Sequence, residues 1–161
     1  MQNVLWLKKP IMKFIISLGV VLLGIVVIRL ISENHRAEAD GTIHLTIIDI
    51  EGQTVFDEDI PFYQGDSFYD VLDRTFDLTC ATATYQQDDT CAYTFNSFAY
   101  QGKVILGIKG NDFELLSDWS TTFLSFYIYD GSDYRLSTFG PSNIPFQQGD
   151  QFMIRHDEVG E

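Results

Sequence analysis

Positive charge is scarce over most of this chain. Residues 32–161 carry six Lys and Arg side chains against all 23 Asp and Glu. A surface that negative repels phosphate backbones and has no basic stripe for counterion release, so nucleic acid is excluded as a partner on electrostatic grounds. Cysteine is nearly absent too. Cys80 and Cys91 are the whole complement, and their spacing is neither C-x-x-C nor that of a zinc knuckle, with no histidine close in sequence. The pair reads as one structural disulfide closing a small loop, worth up to about 3 kcal/mol, with a redox pair or half a metal site as the alternatives. No nucleophile elbow, P-loop, dinucleotide fingerprint or H-E-x-x-H helix occurs. The three histidines, His35, His44 and His156, are scattered. Asp57-Glu58-Asp59 and Asp88-Asp89 have the acids to flank a scissile bond, but on so acidic a chain they read as a solvated face. Neither an enzyme nor a bound cofactor or metal is expected.

Uncharged apolar residues concentrate near the start. Phe14 to Ile28 carries no charge, and the run continues through Arg29 to Ile31. At ~1.5 Å per residue, helix over 14–31 spans ~27 Å, close to the ~30 Å hydrocarbon core if Lys13 and Arg29 snorkel. Lys8, Lys9 and Lys13 precede it, whereas Arg29 and Arg36 are accompanied by Glu33 and Glu38. By the positive-inside rule, this predicts a single-pass signal anchor in the cell membrane, with residues 1–13 cytoplasmic and the rest extracytoplasmic. Ala37-Glu38-Ala39 has the form of a cleavage site, so a removed signal peptide is the rival reading. No cysteine just after the run offers a lipoprotein anchor. Residues 32–41, SENHRAEADG, read as a polar linker, and the folded domain is placed at 42–159.

Within that domain Ile43, Leu45 and Ile47 alternate with polar residues, and Glu51-Gly52-Gln53 supplies a turn before Thr54–Ile60, which predicts a hairpin. Phe68, Val71, Leu72 and Phe76 recur at helical spacing after Ser67, and Ser67 with Asp70 forms a candidate capping box. Residues 78–96 read as a stapled loop. Further strands are expected at Ala92–Tyr100, Lys103–Ile108, Leu124–Tyr129, Tyr134–Phe139 and Gln151–His156, with Asp130-Gly131-Ser132-Asp133 as a tight turn rather than a calcium clip. One motif recurs: Pro61–Phe68 and Pro145–Phe152 share P-F-x-Q-G-D-x-F. In both copies glycine takes a positive φ, aspartate caps the next element and the aromatics plug the core, so the copies serve as turns.

The order of hairpin, G-D turn, helix, strands, second G-D turn and last strand resembles the transcobalamin-like C-terminal domain family. Thr42–Ile50, Gly65-Asp66-Ser67 with Val71-Leu72, Trp119, Phe126–Gly131, Phe139-Gly140, and Gly149-Asp150 before Phe152-Met153-Ile154 carry the likeness. It implies an α+β, β-grasp-like mixed sheet with one short helix packed on one face, preceded here by the single transmembrane helix. It also implies a binding module, since such domains contact the corrinoid in vitamin B12 carriers and stand alone in bacterial surface proteins. Period two in Phe123–Tyr129 puts Leu124, Phe126 and Ile128 on a core face and Ser125, Tyr127 and Tyr129 on the other. With one helix to cover one face, Trp119, Tyr127, Tyr129 and the turn residues Asp130, Gly131 and Asp133 are the candidate binding surface for cobalamin or another ring-shaped small molecule. The alternative is a surface protein partner held at an exposed sheet edge or at the cysteine loop.

Overall fold

The computed structural model describes residues 14–24, 35–97 and 100–160. Two units separate in it, Met1–Asn34 and His35–Glu161. In the first, residues 14–24 form a helix, α1. This corrects the expected transmembrane anchor over 14–31: among the described residues no helix is long and apolar enough to cross a membrane. The single-pass placement, with its cytoplasmic and extracytoplasmic sides, rested on that span and falls with it. Residues 1–13 and 25–34, which include the remainder of the expected span, lie outside the described residues.

The second unit is mostly strand. β1 (Gly41–Ile48) and β2 (Thr54–Phe62) form the expected antiparallel hairpin. Its turn is tied by the Asp49 carboxylate, which accepts from the Glu51 and Gln53 amides at 3.0 and 2.8 Å. α2 (Phe68–Thr75) follows, opened by the capping box: the Asp70 amide donates to Ser67 Oγ at 3.2 Å and the Ser67 amide to Asp70 Oδ2 at 2.8 Å. Eight residues make a helix too short to stand alone, so its stability comes from burying Phe68, Val71 and Leu72. Then come β3 (Asp77–Ala81), β4 (Gln87–Asp88), β5 (Phe95–Asn96), β6 (Gln101–Gly102), β7 (Ile105–Lys109), β8 (Glu114–Leu116), β9 (Thr122–Tyr129), β10 (Tyr134–Leu136) and, after a 3-10 turn at Pro141–Asn143, β11 (Gln151–Glu158).

These strands make a five-stranded sheet in the order β10-β9-β11-β1-β2, a four-stranded sheet β4-β3-β7-β8, and the small ladder β5-β6. The large sheet is mixed, with β1 and β11 parallel and every other neighbour antiparallel. Ile43, Leu45, Ile47, Phe152 and Ile154 point from it into the core. There they meet α2 together with Leu78, Cys80, Ile105, Ile108 and Leu115 of the second sheet. One helix on one face was expected; the layer that closes this face is a helix plus a second sheet. The buried unit also starts earlier than Thr42, since Ala37 is 4% exposed and tied by its amide to Asp66 O and by its carbonyl to Gly65 N.

The recurring motif has one structural job in both copies. Gly65 and Gly149 take φ of 90° and 84°. The following aspartate accepts from the backbone three residues back, Asp66 Oδ2 from Tyr63 N at 2.8 Å and Asp150 Oδ2 from Gln147 N at 2.9 Å. The flanking phenylalanines of the two copies then pack on each other, Phe62 with Phe146 at 5.0 Å and Phe68 with Phe152 at 4.6 Å between ring centroids. A turn and a plug, used twice, lock helix α2 to the central strand β11.

Candidate functional site

On the helix-free face of the large sheet the register aligns Leu136, Tyr127 and Met153 in one row and pairs Tyr134 with Tyr129 beside it. The Tyr129 and Tyr134 rings lie 5.3 Å apart, Leu136 is 62% exposed, and Tyr127 is only half-buried. The opposite alternation also stands, with Leu124 buried and Phe126 and Ile128 packed against the core. Gly131 turns the chain at φ 94°. Asp130 Oδ1 accepts from the Ser132 hydroxyl and amide and from the Asp133 amide at 2.8–3.1 Å, and Oδ2 pairs with Arg135. The Ser132 hydroxyl bond, first among these, holds the Asp130 carboxyl down at about 2. Its oxygens are already taken, so the turn is a fastening. Among the described residues no three His, Cys, Asp or Glu side chains are placed to hold a metal ion.

Farther across the same face His44 bridges two carboxylates, Nδ1 to Asp59 at 2.8 Å and Nε2 to Asp57 at 3.0 Å, while Thr46 Oγ1 donates to Asp57 at 2.8 Å. Ionised carboxylates only accept, so this arrangement favours the ring form that carries a proton on both nitrogens. The bond to Asp59 raises the His44 pKa above its usual 6.5. A raised folded pKa stabilises fully below the unfolded value and loses that contribution as pH climbs through the folded one. Burial lowers the pKa of His156, which works in the opposite sense below about pH 6.5. The midpoint difference between the parent chain and a His44→Gln variant in urea denaturation is therefore expected to be largest below about pH 6.5 and to close as pH rises through the raised folded value. A difference constant across that range would mean that the ring acts by shape alone.

Trp119 does not join the tyrosines. It precedes the start of β9, whereas Tyr129 ends that strand, roughly 20 Å of extended chain away. It belongs instead to a second aromatic surface on the cysteine loop. There the Cys80–Cys91 disulfide is formed, with Cα atoms 4.9 Å apart. The three non-glycine residues with positive φ among those described, Tyr85 (57°), Cys91 (48°) and Trp119 (60°), lie in the loop or stack against it. The Trp119 ring stacks on Tyr85 at 6.1 Å and 20°, Tyr85 lies 5.4 Å from Phe95, and Phe95 meets Tyr93 at 4.9 Å. Tyr85, Trp119 and Tyr93 remain 51, 47 and 40% exposed.

Each strained turn is held by its own acceptor. Asp118 takes bonds from the Ser120, Thr121 and Thr122 amides at 2.7–3.1 Å and from the Thr121 hydroxyl, and the Thr121 amide first among them keeps its carboxyl far below the usual range. Asp88 accepts from Thr90 and Ala92 around Cys91, its acidity raised chiefly by the Thr90 hydroxyl. Thr82 ties the turn at Tyr85. Tyr85, Tyr93 and Phe95 escaped sequence reasoning because the loop has no period; three aromatics inside a stapled, threonine-rich segment were the available signal. In comparisons with protein-family models and with curated proteins, the chain matches none of either.

Proposed function

We propose that the protein is a non-catalytic binding module that takes a ring-shaped ligand on the platform of Tyr85, Tyr93, Phe95 and Trp119. The observation that carries this is the stacked Tyr85–Trp119 pair. Each of these residues is held in a left-handed backbone conformation that costs about 1–3 kcal/mol, yet each leaves about half of its surface to solvent. Core packing does not require such rings, and an exposed, pre-ordered stack suits a flat face of C–H bonds or a conjugated macrocycle. The sequence resemblance to cobalamin-contacting domains makes a corrin the first such ring to try, and pyranose sugars the second.

Calorimetric titration of the chain with cobalamin and with soluble oligosaccharides tests the reading. Binding is expected for one class, with Trp119→Ala weakening it roughly tenfold or more and Tyr127→Ala leaving it unchanged. Heat lost through Tyr127 and not Trp119 would move the site to the helix-free face. Silence with every ring-shaped ligand would end the proposal.

A further inference from the structure

We propose that the outer edge of β2 receives an extended, basic segment of a partner protein as an added strand. β2 has nine residues and ends the sheet order. Among the described residues, no hydrogen bond outside its ladder with β1 reaches the backbone of Thr54–Phe62. Half of its backbone donors and acceptors therefore face outward, save for the missing N–H of Pro61, and form a template for another strand.

A groove runs along that edge. It has a volume of about 750 Å³, is bordered by Thr54–Pro61 on one bank and by Asp73–Asp77 and Lys109–Phe113 on the other, and shares Asp73, Phe76, Asp77 and Lys109 with a neighbouring cleft of about 440 Å³. Phe56, Phe76 and Phe113 line it as a mutually packed trio, with centroids 5.0–6.4 Å apart. Its acids outnumber its cations, and both cations are engaged: Arg74 with Asp66 at 2.7 Å and Lys109 with Glu114 at 3.8 Å. An apolar trio under negative walls is complementary to an apolar segment bearing Lys or Arg.

Strand alternation sharpens the match. Phe56 and Glu58 pair across from the inward residues Ile47 and Leu45, whereas Asp57 and Asp59 pair across from Thr46 and His44 on the opposite face. A docked strand with Lys or Arg at every second position sets those charges beside Asp57 and Asp59, whose Oδ1 atoms bond His44 and whose Oδ2 atoms take no bond among the described residues, and its apolar side chains beside Phe56. A second copy of this chain is a poor occupant, because antiparallel pairing of β2 with itself brings Asp57-Glu58-Asp59 against the same acids.

The probe is a short synthetic peptide alternating lysine and valine, titrated against the full chain by fluorescence anisotropy, with an isomer carrying the lysines in one block and an alternating glutamate–valine peptide beside it. The alternating basic peptide is expected to bind, to weaken at high salt, and to slow amide hydrogen exchange within Thr54–Phe62. Reversing Asp57 and Asp59 to lysine is expected to weaken it at least tenfold, while Trp119→Ala leaves it unaltered. Three results each overturn the proposal: no binding, equal binding of the block isomer, or binding with no added protection in Thr54–Phe62. Concentration-dependent dimers of the chain itself, protected over the same residues, would assign the edge to self-assembly and overturn it as well.

Discussion

Replacing Phe152 by alanine is expected to remove about 3–5 kcal/mol of stability, the largest effect of any single substitution considered for this fold. The ring is 1% exposed on the central strand β11, where Leu45 and Ile128 flank it across the sheet and Phe68 of α2 meets it at 4.6 Å. Truncation therefore removes transfer free energy and opens a cavity between two elements that are both anchored elsewhere, so the space has little freedom to collapse. Against a total of about 5–15 kcal/mol for a domain of this size, the variant is marginal at room temperature. Urea denaturation followed by circular dichroism measures the loss. Leu136→Ala, on an exposed side chain of the short edge strand β10, is expected to stay within about 0.5 kcal/mol and serves as the reference. A Phe152→Ala loss below about 1 kcal/mol would mean that the phenylalanine plug does not hold helix to sheet.

The disulfide carries the second large effect. Opening Cys80–Cys91 releases a loop of eleven positions in the unfolded chain and is expected to cost about 2–3 kcal/mol. Both sulfurs are buried, so serine at both positions adds hydroxyl groups to an apolar site, and alanine at both is the cleaner comparison. Cys91 also has a left-handed backbone, and without the link its turn relaxes toward ordinary φ. The paired alanine variant is thus expected to lose both denaturation midpoint and the ligand binding proposed for the Tyr85–Trp119 platform, whereas amide protection in β1 and β11 persists below its transition. Unchanged melting of the parent chain after complete reduction would show that the loop is held by its turns alone.

How far these features were readable follows from how local their causes are. The first hairpin, the helix with its capping box, both G-D turns and the disulfide depend on side chains a few positions apart or on a pair with no rival, and each could be read from the residues. β4, β5 and β6 have two residues apiece and β8 three, too few to show alternation, so Ala92–Tyr100 looked like one strand where, among the described residues, Phe95–Asn96 alone pair. The second sheet was hidden because β3, its partner for the expected strand at Lys103–Ile108, falls mostly within the segment read as a stapled loop. Trp119 was grouped with Tyr127 and Tyr129 because they are close in sequence, but the eight residues of β9 put its two ends roughly 20 Å apart. Apolar composition over 14–31 marked an oily stretch, of which the described residues 14–24 are helix.

The place of β11 in the large sheet has a consequence for biosynthesis. It lies between β9 and β1, parallel to the strand that left the ribosome first among its sheet partners. A nascent chain that has not yet delivered Gln151–Glu158 holds β1 and β9 with a missing strand between them, each exposing unpaired backbone and the apolar side chains of the core. The large sheet cannot close before Gln151–Glu158 is made, and the interval before it is when a chaperone has most to shield.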